Sequence, residues 1–183
     1  MIICVTGLPG AGKSVTGGIL AKRGYKVYEL GDIVREMMKK KRIPQDAESV
    51  KRFTIYIRKR YGTLVIPRYL FRTIKVRKDS KIAIIGVRSK PELDYIRKRG
   101  RSVTIAIVAP ARLRYRRTMS RGRSDAPRTF AEFVKNRDAK EKRFGLEGAI
   151  RSADYIIAGT GTVAQLEKGI DQVLLKMKNA KAF

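Results

Sequence analysis

The chain has 183 residues, which is enough for one domain with a proper hydrophobic core. Its 43 lysines and arginines outnumber its 16 acidic residues, and the resulting net charge of +27 favours anionic partners. It contains no histidine and a single cysteine, Cys4, so an internal disulfide, zinc chemistry and histidine-based catalytic triads are excluded. No apolar run approaches the ~18 residues that a membrane helix needs, and no leader-like segment precedes the first apolar run, so we expect a soluble, cytoplasmic protein without a membrane partner.

Five short apolar runs rich in valine or isoleucine are typical of buried parallel strands: 2–5, 27–30, 82–85, 103–108 and 155–158. Stretches with helical character lie between or after them: about 13–23, 32–41, 46–60, 91–99, 111–121 and 163–177. This alternation predicts an α/β fold, a three-layer α/β/α arrangement around a five-stranded parallel sheet, with ligands bound beyond the carboxyl ends of the strands. Two connections, 31–80 and 121–150, exceed ordinary lengths and are candidate functional insertions within one domain spanning 1–183.

The first predicted strand leads directly into Gly7-Leu8-Pro9-Gly10-Ala11-Gly12-Lys13-Ser14, which matches the phosphate-binding pattern G-x-x-x-x-G-K-[ST]. Glycines allow consecutive backbone N–H groups to face phosphate oxygens, and the following helix N-terminus adds a partial positive charge. Lys13 is expected to reach the β- and γ-phosphates, and the Ser14 hydroxyl to ligate the bridging Mg²⁺. The pattern predicts a P-loop that binds ATP or GTP, formed by Gly7, Pro9, Gly10, Ala11, Gly12, Lys13, Ser14 and Val15.

Further motifs resemble those of nucleotide kinases. Gly31-Asp32-Ile33-Val34-Arg35 resembles the G-D-x-x-R segment that opens the acceptor domain of adenylate kinases. Similarity to an archaeal family of adenylate-kinase-related P-loop proteins extends over nearly the whole chain and is carried by Gly86-Val87-Arg88-Ser89, Arg121-Gly122-Arg123-Ser124-Asp125, Arg137-Asp138, Glu141 and Phe144-Gly145. The ending Ala153-Asp154-Tyr155-Ile156-Ile157 is similar to the A-D-x-x-I of dephospho-coenzyme A kinases. The resemblance implies a nucleoside monophosphate kinase-like P-loop NTPase, with an acceptor-binding insertion at 31–80 and a lid at 121–150.

The same resemblance implies roles for individual residues. Arg35 and Arg88 would hold the acceptor phosphate, although Gly86-Val87-Arg88 is one residue shorter than the G-x-x-R of adenylate kinases. Arg117 and Arg121 match the R-x-x-x-R of kinase lids, in which one guanidinium packs on adenine and another neutralises the transferring phosphate. For catalysis the resemblance implies Lys13, Arg117 and Arg121, and Arg117 would also contact the nucleotide. The acceptor would be bound by Gly31, Asp32, Arg35, Gly86 and Arg88. The lid would contain Arg121, Arg123, Arg137 and Asp138.

Arginines are concentrated in the helix predicted after the fourth strand. Arg114, Arg117 and Arg121 share one helical face. Like charges at such spacing repel one another unless an anion lies between them, so this face is expected to meet a bound anion.

One position departs from the resemblance. Relatives carry aspartate before the glycine that ends the third strand, where it holds magnesium, whereas this chain has Ile85. An aliphatic side chain cannot ligate a hard cation, so the metal site falls to Ser14 and Asp32 or to an acidic group that the sequence does not locate. If magnesium placement limits turnover, Ile85→Asp is expected to raise the transfer rate.

The resemblance implies phosphoryl transfer from ATP to a nucleotide-like acceptor, with AMP as the first candidate. Such a reaction needs positioning and charge stabilisation rather than a side-chain nucleophile, which suits a chain without histidine. Three alternatives remain open: a dephospho-coenzyme A kinase-like enzyme with Asp32 as base, an RNA-binding protein gated by nucleotide through its basic surface, and a nucleotide sensor with weak turnover.

Overall fold

A five-stranded parallel sheet forms the centre of the fold, which confirms the predicted fold class. The computed structural model describes residues 1–120, 129–138 and 145–179. The strands are β1 (Ile2–Thr6), β2 (Lys26–Glu29), β3 (Ile82–Val87), β4 (Ser102–Val108) and β5 (Tyr155–Ala158). Their order is β2-β3-β1-β4-β5, so β1 lies in the middle and delivers the phosphate-binding motif to the centre of the carboxyl edge.

Helices connect the strands and cover both faces of the sheet. They are α1 (Lys13–Lys22), α2 (Leu30–Lys40), α3 (Ala47–Tyr61), α4 (Val65–Thr73), α5 (Lys90–Arg97), α6 (Ala111–Ser120), α7 (Phe130–Glu132) with the π-helical turn Phe133–Asp138, α8 (Leu146–Arg151) and α9 (Val163–Asn179). Within the part of the chain that the structure describes, no helix is both long enough and apolar enough to cross a bilayer.

The sequence pattern did not predict α4, α7 or α8, and it placed Leu30 in a strand although this residue begins α2. The α4 segment is rich in β-branched and aromatic residues, which have modest helix propensity. Its Pro67 lies in the first turn, where the missing N–H disturbs no helical hydrogen bond. Burial of Ile66 and Leu70 in the core shared with α2, α3 and α5 stabilises α4 despite its composition.

The two faces of the sheet have separate apolar cores. In β1, Ile2 and Cys4 face the core formed with α2, α3, α4, α5 and α8, whereas Ile3 and Val5 face the core formed with α1 and α9. This alternation follows from the two-residue period of a strand. The segment between β2 and β3 therefore covers one face, and the helix that follows the phosphate-binding motif covers the other.

A register shift at the carboxyl end of β1 and β3 shapes the edge where ligands are expected. Between Val5 and Thr6 the pairing with β3 skips one residue, at Gly86, whose φ is +86°. Thr6 Oγ1 donates a hydrogen bond to the carbonyl oxygen of Val87 at 2.8 Å, which joins the two strands beyond the shift. Arg88 follows directly, at the same edge as the phosphate-binding motif.

Candidate nucleotide-binding site

The P-loop glycines adopt backbone conformations that other residues rarely reach. Gly7, Gly10 and Gly12 have φ values of 140°, 79° and 117°. A Cβ at Gly7 would collide with the carbonyl oxygen of Ile107 at the end of β4, and one at Gly10 would lie 2.5 Å from the carbonyl oxygen of Arg114 in α6. The loop is therefore held tightly between β1, β4 and α6.

Lys13 lies inside this loop. Its Nζ donates hydrogen bonds to the carbonyl oxygens of Gly7, at 2.7 Å, and Leu8, at 3.0 Å. Gly12 precedes α1 without a side-chain cap, and Ser14 is exposed in the first turn. A helix N-terminus next to a lysine and a hydroxyl attracts anions, because its first N–H groups point outward and its dipole is positive there. The loop thus brings together the groups that the motif predicts, and their binding of a nucleotide phosphate stays a prediction.

Arg114 is turned toward the interior of the protein. It is only 3% exposed, and its guanidinium donates to the carbonyl oxygens of Ala109, at 2.9 Å, and Pro9, at 3.3 Å. The ring of Phe133 lies 5.3 Å from the guanidinium carbon. These contacts join α6 to the P-loop, so Arg114 supports the loop from behind, and the expectation that its helical face meets a bound anion stays a prediction. No sequence signal distinguishes it from the surrounding arginines.

Arg117 reaches a different part of the site. Its Nη1 donates to the carbonyl oxygen of Gly159 at 2.6 Å, in the loop between β5 and α9. This loop touches the P-loop, since a Cβ at Gly159 would collide with the carbonyl oxygen of Ala11. Arg117 thus joins α6 to a loop that borders the phosphate site, and its role toward adenine stays a prediction.

The predicted acceptor residues lie after β2 and β3 at the same edge. Arg35 Nη1 and Asp32 Oδ1 form an exposed ion pair at 3.0 Å within the first turns of α2. Asp32 is predicted to bind the metal and Arg35 the acceptor phosphate, and in the structure these two side chains neutralise each other. Gly31 begins the same turn, and Arg88 lies beyond the glycine shift of β3, with its backbone N–H donating to Glu92 Oε2 at 2.7 Å.

The lid prediction is not tested by the structure. Arg121 and Arg123 lie outside the described residues, as do the side chains of Arg137 and Asp138.

Ile85, the departure from the family pattern, is 2% exposed and packs in the core beneath α1.

Sequence reasoning missed a buried ion pair behind the acceptor side. Arg58 Nη2 of α3 lies 2.6 Å from Glu92 Oε1 of α5, and their side chains are 7% and 0% exposed. A partial signal was present: Ser89-Lys90-Pro91-Glu92 fits a helix-capping pattern, and the Ser89 hydroxyl does accept a hydrogen bond from the Glu92 N–H at 3.4 Å. The partner on α3 carries no such signal.

Asp154, from the A-D-x-x-I match, has a structural contact at the other end of the sheet. Its Oδ2 accepts a hydrogen bond from the Thr104 N–H at 2.7 Å, and its own N–H donates to the Thr104 carbonyl oxygen at 2.9 Å. These bonds pair the start of β5 with β4. The motif therefore aligns the edge strand and lies away from the P-loop.

The strand order, the P-loop between β1 and α1, and helices on both faces define a P-loop NTPase of the kinase-like branch. A family model described as "AAA domain" matches residues 3–142. The chain is 35% identical over 179 residues to the UPF0200 protein of Pyrobaculum aerophilum, with 97% of this chain and 98% of that protein covered. It is 36% identical to that of Thermococcus kodakarensis, with 97% and 100% covered. The chain belongs to the UPF0200 family.

Solved structures share the fold. TT1252 from Thermus thermophilus superposes with a TM-score of 0.65 at 21% identity, with 96% of this chain and 97% of that chain covered. Shikimate kinase from Acinetobacter baumannii superposes with a TM-score of 0.55 at 20% identity, with 97% and 94% covered. A gluconokinase from Sinorhizobium meliloti gives 0.54 at 12% identity, with 97% and 95% covered. At these identities the similarity shows the kinase-like fold alone.

Proposed function

We propose that the protein is a phosphotransferase that moves the γ-phosphoryl group of ATP to a nucleotide-like acceptor, with AMP as the first candidate. The observation that carries this proposal is the arrangement at the carboxyl edge of the sheet. The P-loop with Lys13 occupies the centre, and Arg35 and Arg88 follow β2 and β3 on one side of it. A phosphate-bearing acceptor on that side would face the donor across the edge.

The chain divides the work among its segments in this proposal. Residues 31–80, which contain most of α2 and all of α3 and α4, form the acceptor-binding insertion of one domain that spans 1–183. Residues 121–150 form the lid, and Arg121, Arg123, Arg137 and Asp138 act there. Lid closure excludes water from the transferring group, which favours transfer over hydrolysis.

Lys13 and Arg117 would carry the chemistry on the donor side. A bound phosphate chain offers Lys13 charged oxygens in place of the two P-loop carbonyl groups that it contacts. Arg117, held beside the P-loop by the Gly159 carbonyl group, packs on the adenine or stabilises charge on the phosphates. The acceptor phosphate oxygen is already ionised near neutral pH, so no side chain has to remove a proton from it.

The residues present also fit magnesium. Ser14 offers an exposed hydroxyl in the first turn of α1, and the carboxylate of Asp32 lies near the end of β2. Mg²⁺ binds oxygen ligands and is held in many phosphate sites by one or two protein groups together with phosphate and water. The described residues contain no cluster of three or more acidic, cysteine or histidine side chains, which suits such a sparse site. When bound, the ion would neutralise charge on the phosphates.

A transfer assay tests the proposal. The protein is incubated with γ-labelled ATP and, separately, AMP, other nucleoside monophosphates, dephospho-coenzyme A or no acceptor. We expect labelled ADP with AMP and little free phosphate, and Lys13→Ala is expected to abolish the product. Transfer to dephospho-coenzyme A would favour the alternative kinase, whereas binding without product would favour a sensor. GTP in place of ATP tests donor choice.

A second candidate function, binding of a polyanion such as RNA, is favoured by a cleft away from the P-loop. This cleft of about 380 Å³ is lined by Arg68, Phe71, Arg72, Tyr95 and Arg99. The Arg99 guanidinium lies 3.7 Å from the Tyr95 ring centroid. None of the three arginines forms an ion pair with any residue that the structure describes. Like charges around one cleft, without a carboxylate to offset them, attract phosphate groups.

A further inference from the structure

Glu29 is the last residue of β2 and lies next to the position where an aspartate is replaced by Ile85. In the parallel register Glu29 is beside Ile85, and Ile85 is beside Val5, two residues before the P-loop begins. Neighbouring strands in a sheet are about 4.8 Å apart. Glu29 therefore lies at the same level of the sheet as the missing aspartate, one strand away.

Side-chain alternation directs Glu29 toward α1. Val27, two residues earlier in β2, packs with Ile85 in the core under α1. The Cβ position of Gly17 in α1 lies 3.3 Å from Ile85 Cγ1 and 3.4 Å from Val27 Cγ1. Because α1 starts at the carboxyl edge and runs back along the sheet, Ser14 lies about one turn nearer that edge than Gly17. Glu29 lies two residues nearer that edge than Val27, so its side chain is directed toward the Ser14 turn.

The carboxylate of Glu29 has no partner among the described residues and is available to a bound cation. Among the described acidic residues, Glu29 and Asp79 make no hydrogen bond or ion pair through their side chains, and Asp79 lies in the exposed turn before β3. Glu29 precedes α2, but its side chain does not cap that helix. It is also half-buried, in a chain where 43 basic residues compete for 16 acidic ones.

We propose that Glu29 takes over the role of the missing aspartate as the carboxylate of the magnesium site, together with the Ser14 hydroxyl. This inference rests on the proposed nucleotide-dependent function. Asp32 is less suited to the role, since its side chain is 68% exposed and already paired with Arg35. Loss of the strand β3 carboxylate is thus compensated from β2, and the core beneath α1 keeps an aliphatic residue at Ile85.

Manganese binding tests this assignment without relying on turnover. The full chain is saturated with ADP, and free Mn²⁺ is followed by electron paramagnetic resonance during a titration. Glu29→Gln is expected to weaken Mn²⁺ binding about tenfold or more, because carboxylates at or next to a metal commonly contribute that much to its affinity. Calorimetry in EDTA is expected to give the same ADP affinity for this variant as for the parent. Asp79→Asn, which removes a carboxylate from the exposed turn before β3, is the matched control and is expected to bind Mn²⁺ like the parent. Asp32→Asn tests the other candidate carboxylate.

The outcomes are distinguishable. Parent-like Mn²⁺ affinity in Glu29→Gln, or a loss in Asp32→Asn alone, overturns the assignment of Glu29 while leaving nucleotide binding intact. A parent protein that does not bind ADP in EDTA or in Mn²⁺ contradicts the proposed function itself. Circular dichroism melting confirms that each variant folds. If Glu29→Gln does not fold, Glu29→Ala removes the carboxylate together with most of the side chain, and parent-like Mn²⁺ affinity in that variant would equally contradict the proposal.

Discussion

Arg58 and Glu92 join the segment between β2 and β3 to the start of α5 through an ion pair that is almost fully buried, with 2.6 Å between Nη2 and Oε1. The other carboxylate oxygen of Glu92 accepts a hydrogen bond from the Arg88 N–H. One carboxylate thus holds both α3 and the backbone of a proposed acceptor-binding arginine. The placement of Arg88 depends on a contact that lies behind the site.

Glu92→Gln is expected to destabilise the protein by about 3–5 kcal/mol, because it leaves the buried Arg58 charge without its counter-ion. Urea unfolding followed by circular dichroism measures the change. Glu48→Gln is the control, since Glu48 pairs with Arg52 at 3.8 Å and both side chains are more than 70% exposed. Such exposed pairs contribute about 0–1 kcal/mol. Equal losses in the two variants would contradict the importance of burial.

Arg35→Ala and Arg88→Ala are each expected to weaken AMP binding by about ten- to a hundredfold, because a charge-assisted hydrogen bond contributes roughly 1.5–3 kcal/mol. Affinity for a non-hydrolysable ATP analogue should hardly change. Lys13→Ala is expected to do the reverse. Calorimetric titration of both ligands measures each side, with Arg60→Ala on the exposed surface of α3 as control. Parent-like AMP binding in both arginine variants would locate the acceptor elsewhere.

Ile85→Asp is expected to lower stability rather than raise the transfer rate, contrary to the expectation from sequence alone. The new carboxylate would be buried under Gly17 and would lie beside Glu29. Loss of a buried aliphatic side chain costs about 2–5 kcal/mol, and an unpaired buried charge adds to that cost. Thermal melting and the transfer assay measure the two effects. A stable variant with a faster rate would show that magnesium placement limits the parent.

The cleft of Arg68, Arg72 and Arg99 is expected to bind single-stranded RNA in a salt-dependent way. Replacing all three by alanine should lower the slope of log affinity against log salt by about 2, since each contact to a single-strand phosphate contributes roughly 0.7. Fluorescence anisotropy with a labelled oligonucleotide measures the slope. A triple alanine variant of Lys51, Lys59 and Arg60 removes the same charge from α3. Equal slopes in both variants would mean that binding reflects net charge only.

Cys4 is expected to make the protein less stable at alkaline pH. Burial raises the pKa of its thiol to about 12. An unfolded thiol has a pKa of about 8.5. Between these values the unfolded chain releases a proton that the native protein keeps, so the free energy of unfolding falls by about 1.4 kcal/mol per pH unit. Urea unfolding across this range measures the slope, and Cys4→Val should lack this component. The same slope in both proteins would contradict a raised thiol pKa.

The sheet and the P-loop were predictable because their signals are local. Apolar runs, turn glycines and a lysine at fixed spacing follow from contiguous residues, and the structure contains all five strands. Leu30 and α4 were missed because apolar side chains near strand ends serve a strand or a helix equally well, and only packing decides between them.

The side-chain contacts of the site were less predictable because they depend on which strands are neighbours. Glu29 and Ile85 lie far apart in the sequence and share no motif. Only the strand order β2-β3-β1 brings them side by side. Arg114 and Arg117 look alike in the sequence, yet one supports the P-loop from within the fold and the other contacts the β5–α9 loop.

The central position of β1 divides the sheet into two halves, one on each side of the P-loop. The parts that contact the P-loop from one side, β4, α6 and the β5–α9 loop, lie in one half, whereas α2, α3 and α4 enter the chain between β2 and β3 in the other. In the proposed function, the acceptor-binding residues and the P-loop contacts of α6 therefore lie on opposite sides of β1. The segment between β2 and β3 is accordingly a natural unit to exchange with the same segment of another protein of this fold.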